Sequence, residues 1–164
     1  MLVIILFFFC LSSGLVQCSF DDETKRLYIQ GNEILKFSTQ LNQWKLLTER
    51  IVIEEGIKIL DHYVFYEWNM KEIVIGSSVE IIKSNAFENC PQLTTITFNQ
   101  NSQLKTIEEY AFQNCINLKS ILLPKSLEKI DFKKVFENCT EIKIEIEEEN
   151  EYCKIEDDDV CCKK

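Results

Sequence analysis

Residues 73–93 read Ile73-Val74-Ile75-Gly76-Ser77-Ser78-Val79-Glu80-Ile81-Ile82-Lys83-Ser84-Asn85-Ala86-Phe87-Glu88-Asn89-Cys90-Pro91-Gln92-Leu93. The tail of this stretch returns twice. Ala86-Phe87-Glu88-Asn89-Cys90 recurs as Ala111-Phe112-Gln113-Asn114-Cys115 and as Val135-Phe136-Glu137-Asn138-Cys139, with the phenylalanines 25 and 24 residues apart. A self-similar period of this length predicts a solenoid, in which each unit is one supersecondary element that cannot bury its apolar side alone. Stacking the units buries it, and the surface that the stack presents then decides function.

Working outward from residues 73–93, an apolar-x-apolar pair recurs as Ile51/Ile53, Ile73/Ile75, Ile96/Phe98 and Ile121/Leu123, which fits strands with one buried face. Repeat starts at 51, 73, 96 and 121 give lengths of 22, 23 and 25 residues. The variation falls in turns, chiefly the polar stretch Asn99-Gln100-Asn101-Ser102-Gln103, where insertions are tolerated. A second apolar pair follows each strand: Ile57/Leu60, Val79/Ile82, Leu104/Ile107 and Leu127/Ile130. The Ala-Phe or Val-Phe segment after it is predicted to form one or two helical turns. Met70, Leu93, Leu118 and Ile142 lead back toward the strand. Ile142, Ile144 and Ile146 still alternate with charged residues, as a last strand in register would.

Written out, the unit is Leu-x-x-Ile-x-Ile-x-x-x-Val-x-x-Ile-x-x-x-Ala-Phe-x-Asn-Cys-x-x-Leu, and it resembles the BspA-like class of leucine-rich repeats. Met70, Ile73, Ile75, Val79, Ile82, Ala86, Phe87, Cys90 and Leu93 carry the resemblance, and two further copies follow through Ile142. Pro124 sits where that class often has proline after the strand. The first copy departs from the pattern, with Trp68 in the place of cysteine, and the last has one extra residue before Val135. The resemblance implies an α/β leucine-rich-repeat solenoid over residues 51–146, with a parallel strand ladder, short helical turns and terminal caps. About four rungs are expected. It also implies use at cell surfaces in adhesion and protein binding, and brings no catalytic residues.

The two ends read differently. Residues 1–18 open with an almost unbroken apolar run to Leu11 and continue through Ser12-Ser13-Gly14 to Val16-Gln17-Cys18, the pattern of a secretory signal peptide cleaved near Cys18. The run is too short for a comfortable membrane span. An uncleaved anchor and a lipidated Cys18 are the competing readings, and Gln17 before the cysteine fits lipidation poorly. Residues 19–50 are expected to cap the first rung, with an amphipathic helix in the second half carried by Leu41, Trp44, Leu46 and Leu47. Residues 147–164 form an acidic, cysteine-rich tail or cap. Residues 141–164 hold ten acids and four bases, so most of the net charge of −9 lies there.

Composition narrows the chemistry. With no basic patch to neutralise phosphates, nucleic acid is not expected as a partner. Cys90, Cys115 and Cys139 sit at equivalent repeat positions and should form a buried column, since free cysteine is among the most buried residue types. Cys153, Cys161 and Cys162 are the candidates for disulfides, within the tail or to a second chain. No Cys-x-x-Cys pair exists, so no metal or other cofactor is expected. The acidic runs lack the spacing and central glycine of a calcium loop. The single histidine, His62, falls in a turn that varies between repeats, which argues against nucleophilic catalysis. Asn138-Cys139-Thr140 is an N-glycosylation sequon. It lies within the shared Asn-Cys motif, where asparagine is more readily explained as satisfying backbone groups between rungs.

One surface remains for function. The residue between the two buried positions of a strand points to the opposite face. These residues are Val52, Val74, Thr97 and Leu122, with Glu145 continuing the row, and Arg50, Glu72, Thr95 and Ser120 lie two positions earlier. This charge-rimmed stripe is the candidate protein-binding site. The expected function is a secreted or cell-surface binding or adhesion module, not an enzyme, whose partner is a protein, on a host or neighbouring cell surface for example. The alternatives are an assembly protein cross-linked through the tail cysteines and, from another class, a secreted redox protein or enzyme using tail thiols or His62.

Overall fold

A computed structural model describes residues 5–10, 16–37, 41–140, 142–147, 153–156 and 159–161. In chain order the strands are β1 (Ile5–Cys10), β2 (Val16–Asp21), β3 (Arg26–Gly31), β4 (Glu33–Leu35), β5 (Arg50–Ile53), β6 (Ile57–Leu60) and β7 (Glu72–Ile75). They continue as β8 (Ile81–Ile82), β9 (Thr95–Phe98), β10 (Thr106–Ile107), β11 (Ser120–Leu123), β12 (Lys143–Ile146), β13 (Cys153–Glu156) and β14 (Asp159–Cys161). One short helix, α1 (Phe132–Val135), interrupts them.

The chain winds as a parallel solenoid of about five turns. Leu27, Ile51, Ile73 and Ile96 stand opposite one another across β3, β5, β7 and β9, and Ile121 stands opposite Ile144 across β11 and β12. The apolar-x-apolar code sets this register, because a slip by one residue would turn every strand's buried residues to solvent. The second apolar pair builds a second parallel sheet, β4-β6-β8-β10, extended by a bridge from Thr106 to Lys129. Six-residue turns close the third side. Ile57, Leu60, Val79, Ile82, Leu104 and Ile107 are buried between these sides, whereas Leu127 and Ile130 are only partly covered near the end of the stack.

The turns differ from the helical expectation. At Phe65, Phe87 and Phe112 the chain forms turns, and only the last copy is a helix. Positive φ values explain this: they occur at Tyr63 and Glu67, at Asn85 and Asn89, and at Tyr110 and Asn114, bracketing each turn four residues apart. A left-handed residue cannot continue a right-handed helix. The backbone N–H groups bond along the stack instead, as in Phe65 to Ala86 O at 2.8 Å, Phe87 to Ala111 O at 2.8 Å and Phe112 to Val135 O at 3.0 Å. The last copy, with one extra residue before Val135, has a positive φ only at its far end, at Asn138. Asp131 then caps α1 by accepting from the Lys134 N–H at 3.2 Å.

Columns of identical side chains run through the turns. Phe65, Phe87, Phe112 and Phe136 stack face to face with centroids 5.2, 5.1 and 5.6 Å apart, and Trp68 meets Phe65 edge-on at 5.2 Å. Cys90, Cys115 and Cys139 are buried free thiols, each donating to a phenylalanine carbonyl of the preceding rung, Phe65, Phe87 and Phe112 respectively. For Cys115 the contact with Cys139 lowers the thiol pKa, but the contact with Cys90 and burial outweigh it and hold it well above the ordinary range. For Cys139, the Cys115 contact and burial both raise it. Thiols held protonated this way are inert packing groups. The asparagines form a ladder as well, but through side-chain amides rather than the backbone groups expected. Asn138 Nδ2 donates to Asn114 Oδ1 at 2.8 Å, and Asn114 Nδ2 to Asn89 Oδ1 at 2.6 Å.

Residues 26–37 and 41–50, expected as part of a cap, belong to a rung in register with the rest, and the predicted amphipathic helix is reduced to a 3-10 turn, Leu41–Trp44. Leu41 and Trp44 are buried, but Leu46 and Leu47 face solvent. Thr48, two residues before Arg50, takes the buried place that Met70 holds two residues before Glu72. Ile5–Cys10 pairs antiparallel with β2, which pairs antiparallel with β3. Val16, Cys18 and Phe20 are buried against the first rung, so β2 covers the end that a solenoid would otherwise leave open. At the other end β13 and β14 add antiparallel strands to β12.

Candidate functional site: the exposed strand face

The parallel register lines up the outward residues in two rows. Arg26, Arg50, Glu72 and Thr95 form one, and Tyr28, Val52, Val74 and Thr97 the other. Neighbours in a row lie one strand spacing apart, about 4.8 Å. Arg50 pairs with Glu72 at 3.1 Å. Tyr28, Val52 and Val74 are half-buried against their neighbours, while Thr95 and Thr97 are exposed. Six of the eight residues proposed for this site thus share one hydrogen-bonded sheet.

Ser120 and Leu122 stand apart from that group. β9 and β11 do not belong to one ladder, and β11 begins a separate sheet with β12, in which Ser120 pairs with Lys143 and Leu122 with Glu145. Leu122 is half-exposed. The two-residue insertion after β9, at Asn99–Gln103, lengthens this rung on the strand side, whereas the turn side stays joined through Phe112 to Val135 and Asn114 to Glu137. The face is therefore an apolar strip of Tyr28, Val52 and Val74, then a threonine-bearing edge, and then, past the break in the ladder, Leu122 beside Glu145.

Two contributors, Arg26 and Tyr28, escape a reading that assigns their segment to a cap. The signal was present: Leu27 and Ile29 form an apolar-x-apolar pair lying 24 residues before Ile51, one repeat length.

Elsewhere the polar groups tie rungs together. Glu55 accepts from the Ser77 N–H at 2.8 Å, the Ser77 hydroxyl at 2.9 Å and the Ser78 N–H at 3.0 Å. The Ser77 backbone bond, opposed by burial and aided by the other donors, holds its carboxyl below the usual glutamate range. Glu108 receives Lys83 Nζ, the Ser84 N–H and the Ser84 hydroxyl, each at 3.0 Å. Burial pushes its pKa up, and these donors together more than reverse that. His62 is exposed, with Nδ1 3.2 Å from the Ser84 carbonyl. Among the described residues no group of three His, Cys, Asp or Glu side chains could hold a metal ion. The side chains of Cys153 and Cys161 and the whole of Cys162 lie outside the described residues. No helix among the described residues is long and apolar enough to cross a membrane. The arrangement offers a ribbon of fixed side chains suited to contact with a macromolecule.

Comparison with known proteins agrees with this architecture. The family described as BspA type leucine rich repeat region matches residues 37–157 in six copies. A leucine-rich repeat protein from Eubacterium ventriosum superposes with a TM-score of 0.61 at 20% identity, over 89% of this chain and 45% of that one. A second, from Bacteroides capillosus, gives 0.58 at 19% identity over 84% of this chain and 98% of the other. The pneumococcal vaccine antigen PcpA gives 0.53 at 17% identity over 91% and 52%. The chain thus spans about half the length of the first and third of these proteins. No curated protein matches it.

Proposed function

The chain belongs to the BspA-type leucine-rich-repeat family, and from that premise we propose that it is a secreted or cell-surface module that binds a protein partner through its strand face. The observation that carries the reading is the registered pair of rows, in which Tyr28, Val52 and Val74 form an apolar strip beside Arg26, Arg50, Glu72 and Thr95. Apolar centres with charged rims are the anatomy of protein interfaces. The family is one often engaged in protein binding or adhesion and generally not in catalysis. A fold does not by itself confer a function, so the residues of the face have to be tested.

The apolar N-terminal run and its small-residue flank support entry into a secretory route. Cleavage near Cys18 would remove β1 and half of β2, leaving β3 to begin the ladder.

The test is Val74→Glu combined with Leu122→Glu, assayed by capture of partners from intact cells and by cell binding. Both side chains already touch solvent, so the circular dichroism spectrum and thermal midpoint should stay near those of the parent while binding is lost. Undiminished binding by a folded double variant refutes the assignment. Val74→Glu and Leu122→Glu made separately resolve whether the site extends beyond β9.

A further inference from the structure

The asparagine ladder and the sequon at Asn138 first look like competing claims on one side chain. The geometry removes the conflict. Asn138 is the last rung of the ladder: its Nδ2 donates one N–H to Asn114 Oδ1 at 2.8 Å. A primary amide carries two N–H bonds, and the second meets no acceptor among the described residues. Asn138 is exposed, and so is Thr140, whose carbonyl takes Lys119 Nζ at 3.2 Å while its hydroxyl stays free among the described residues. Between them Cys139 is buried, which turns the side chains of Asn138 and Thr140 outward together. The other ladder members lack this arrangement. Asn114 is followed by Cys115-Ile116 and Asn89 by Cys90-Pro91, so neither has a hydroxyl two residues on.

We propose that Asn138 is an N-glycosylation site in which one amide N–H holds the ladder and the other is replaced by the sugar. In the transfer, Nδ2 forms a bond to the anomeric carbon of a lipid-diphosphate-linked oligosaccharide. The carbon–oxygen bond to the diphosphate breaks, the lipid diphosphate leaves, and the amide loses one proton. The remaining N–H still reaches Asn114 Oδ1, so the modification costs the stack no hydrogen bond. Asn138 lies on the turn side of its rung, away from the strand face, so a glycan there leaves the proposed binding surface open. The inference depends on the secretory reading above.

Two expressions in a glycosylating eukaryotic host keep those readings distinct: the full chain as it stands, and the full chain with an established leader placed ahead of Met1. The expected result is secreted protein with added hexose mass on the Asn138 peptide. Peptide-N-glycosidase removes that mass, leaving aspartate, and Thr140→Ala abolishes it. Glycan found only with the added leader upholds the site and overturns the native secretory signal. Bare Asn138 in protein secreted from the leader-bearing chain overturns the site itself. The glycosylated protein should melt no lower than Thr140→Ala, and a lower midpoint would refute the claim that sugar and ladder share the amide.

Discussion

Phe112→Leu tests whether the phenylalanine column stabilises the stack through ring contacts or only through volume. Phe112 is fully buried, with parallel rings on both sides, Phe87 at 5.1 Å and Phe136 at 5.6 Å. Among the described residues Phe136 has one ring neighbour, and it is slightly exposed. An aromatic pair contributes about 0.5–1.5 kcal/mol beyond burial. Losing two pairs at Phe112 should therefore cost about 1–3 kcal/mol in excess of the packing loss that leucine brings at any position. Phe136→Leu should forfeit only one pair. The sharper measurement is a double-mutant cycle in urea unfolding, with the m-value unchanged across variants. Phe87→Leu with Phe112→Leu should couple by about one pair, ~0.5–1.5 kcal/mol. Phe65→Leu with Phe112→Leu, two rungs and roughly 10 Å apart, should add to within about 0.3–0.5 kcal/mol. If adjacent and non-adjacent pairs couple equally, or neither couples, the ring-contact account fails and the column is only a filled volume.

Other outcomes follow from single contacts. Gly56 has φ of +100°, and a Cβ there would sit 2.2 Å from the Gly31 carbonyl oxygen, so Gly56→Ala should lower stability by more than the ~1–2 kcal/mol of a left-handed residue alone. Thermal unfolding checks this, and a neutral result means the rungs part easily. Glu108, with its folded pKa depressed, contributes stability above the unfolded glutamate pKa and loses it as the pH falls through the lower folded value. Glu108→Gln should therefore flatten the fall in thermal midpoint between about pH 5 and pH 3, and an unchanged profile counts against the clamp. Asn114, at φ of +60°, donates to one neighbouring asparagine and accepts from another. Asn114→Gly should lose the two bonds, and Asn114→Ala should lose those and add strain, so equal midpoints would remove the strain term. Cys115 and Cys139 should resist an aromatic disulfide reagent in native protein and react only on unfolding; rapid native reaction would expose the column.

The rung was legible in the residues because burial repeats as a pattern of types: Ile73, Ile75, Val79, Ile82, Ala86, Phe87, Cys90 and Leu93 are all buried, and each recurs. Period, strand register and the outward position of Val74 follow from that pattern alone. The first rung was harder. Its turn runs through Leu41, Trp44 and Thr48, residues that depart from the Phe-Asn-Cys signature, and Leu46 and Leu47 mimic a helical stripe while facing solvent. Residue types also left the turns ambiguous, because a short Ala-Phe segment between polar residues suits a helix until neighbouring rungs compete for its N–H groups.

The candidate face divides the same way. The sequence determined which residues point outward, since alternation in a strand is local. It also carried the columns of phenylalanine, cysteine and asparagine as a period. Tertiary structure alone decided that β9 and β11 part and that the asparagines bond to one another. Each of these depends on how one turn of the chain meets the next. That contact spans some two dozen residues, and no local preference encodes it.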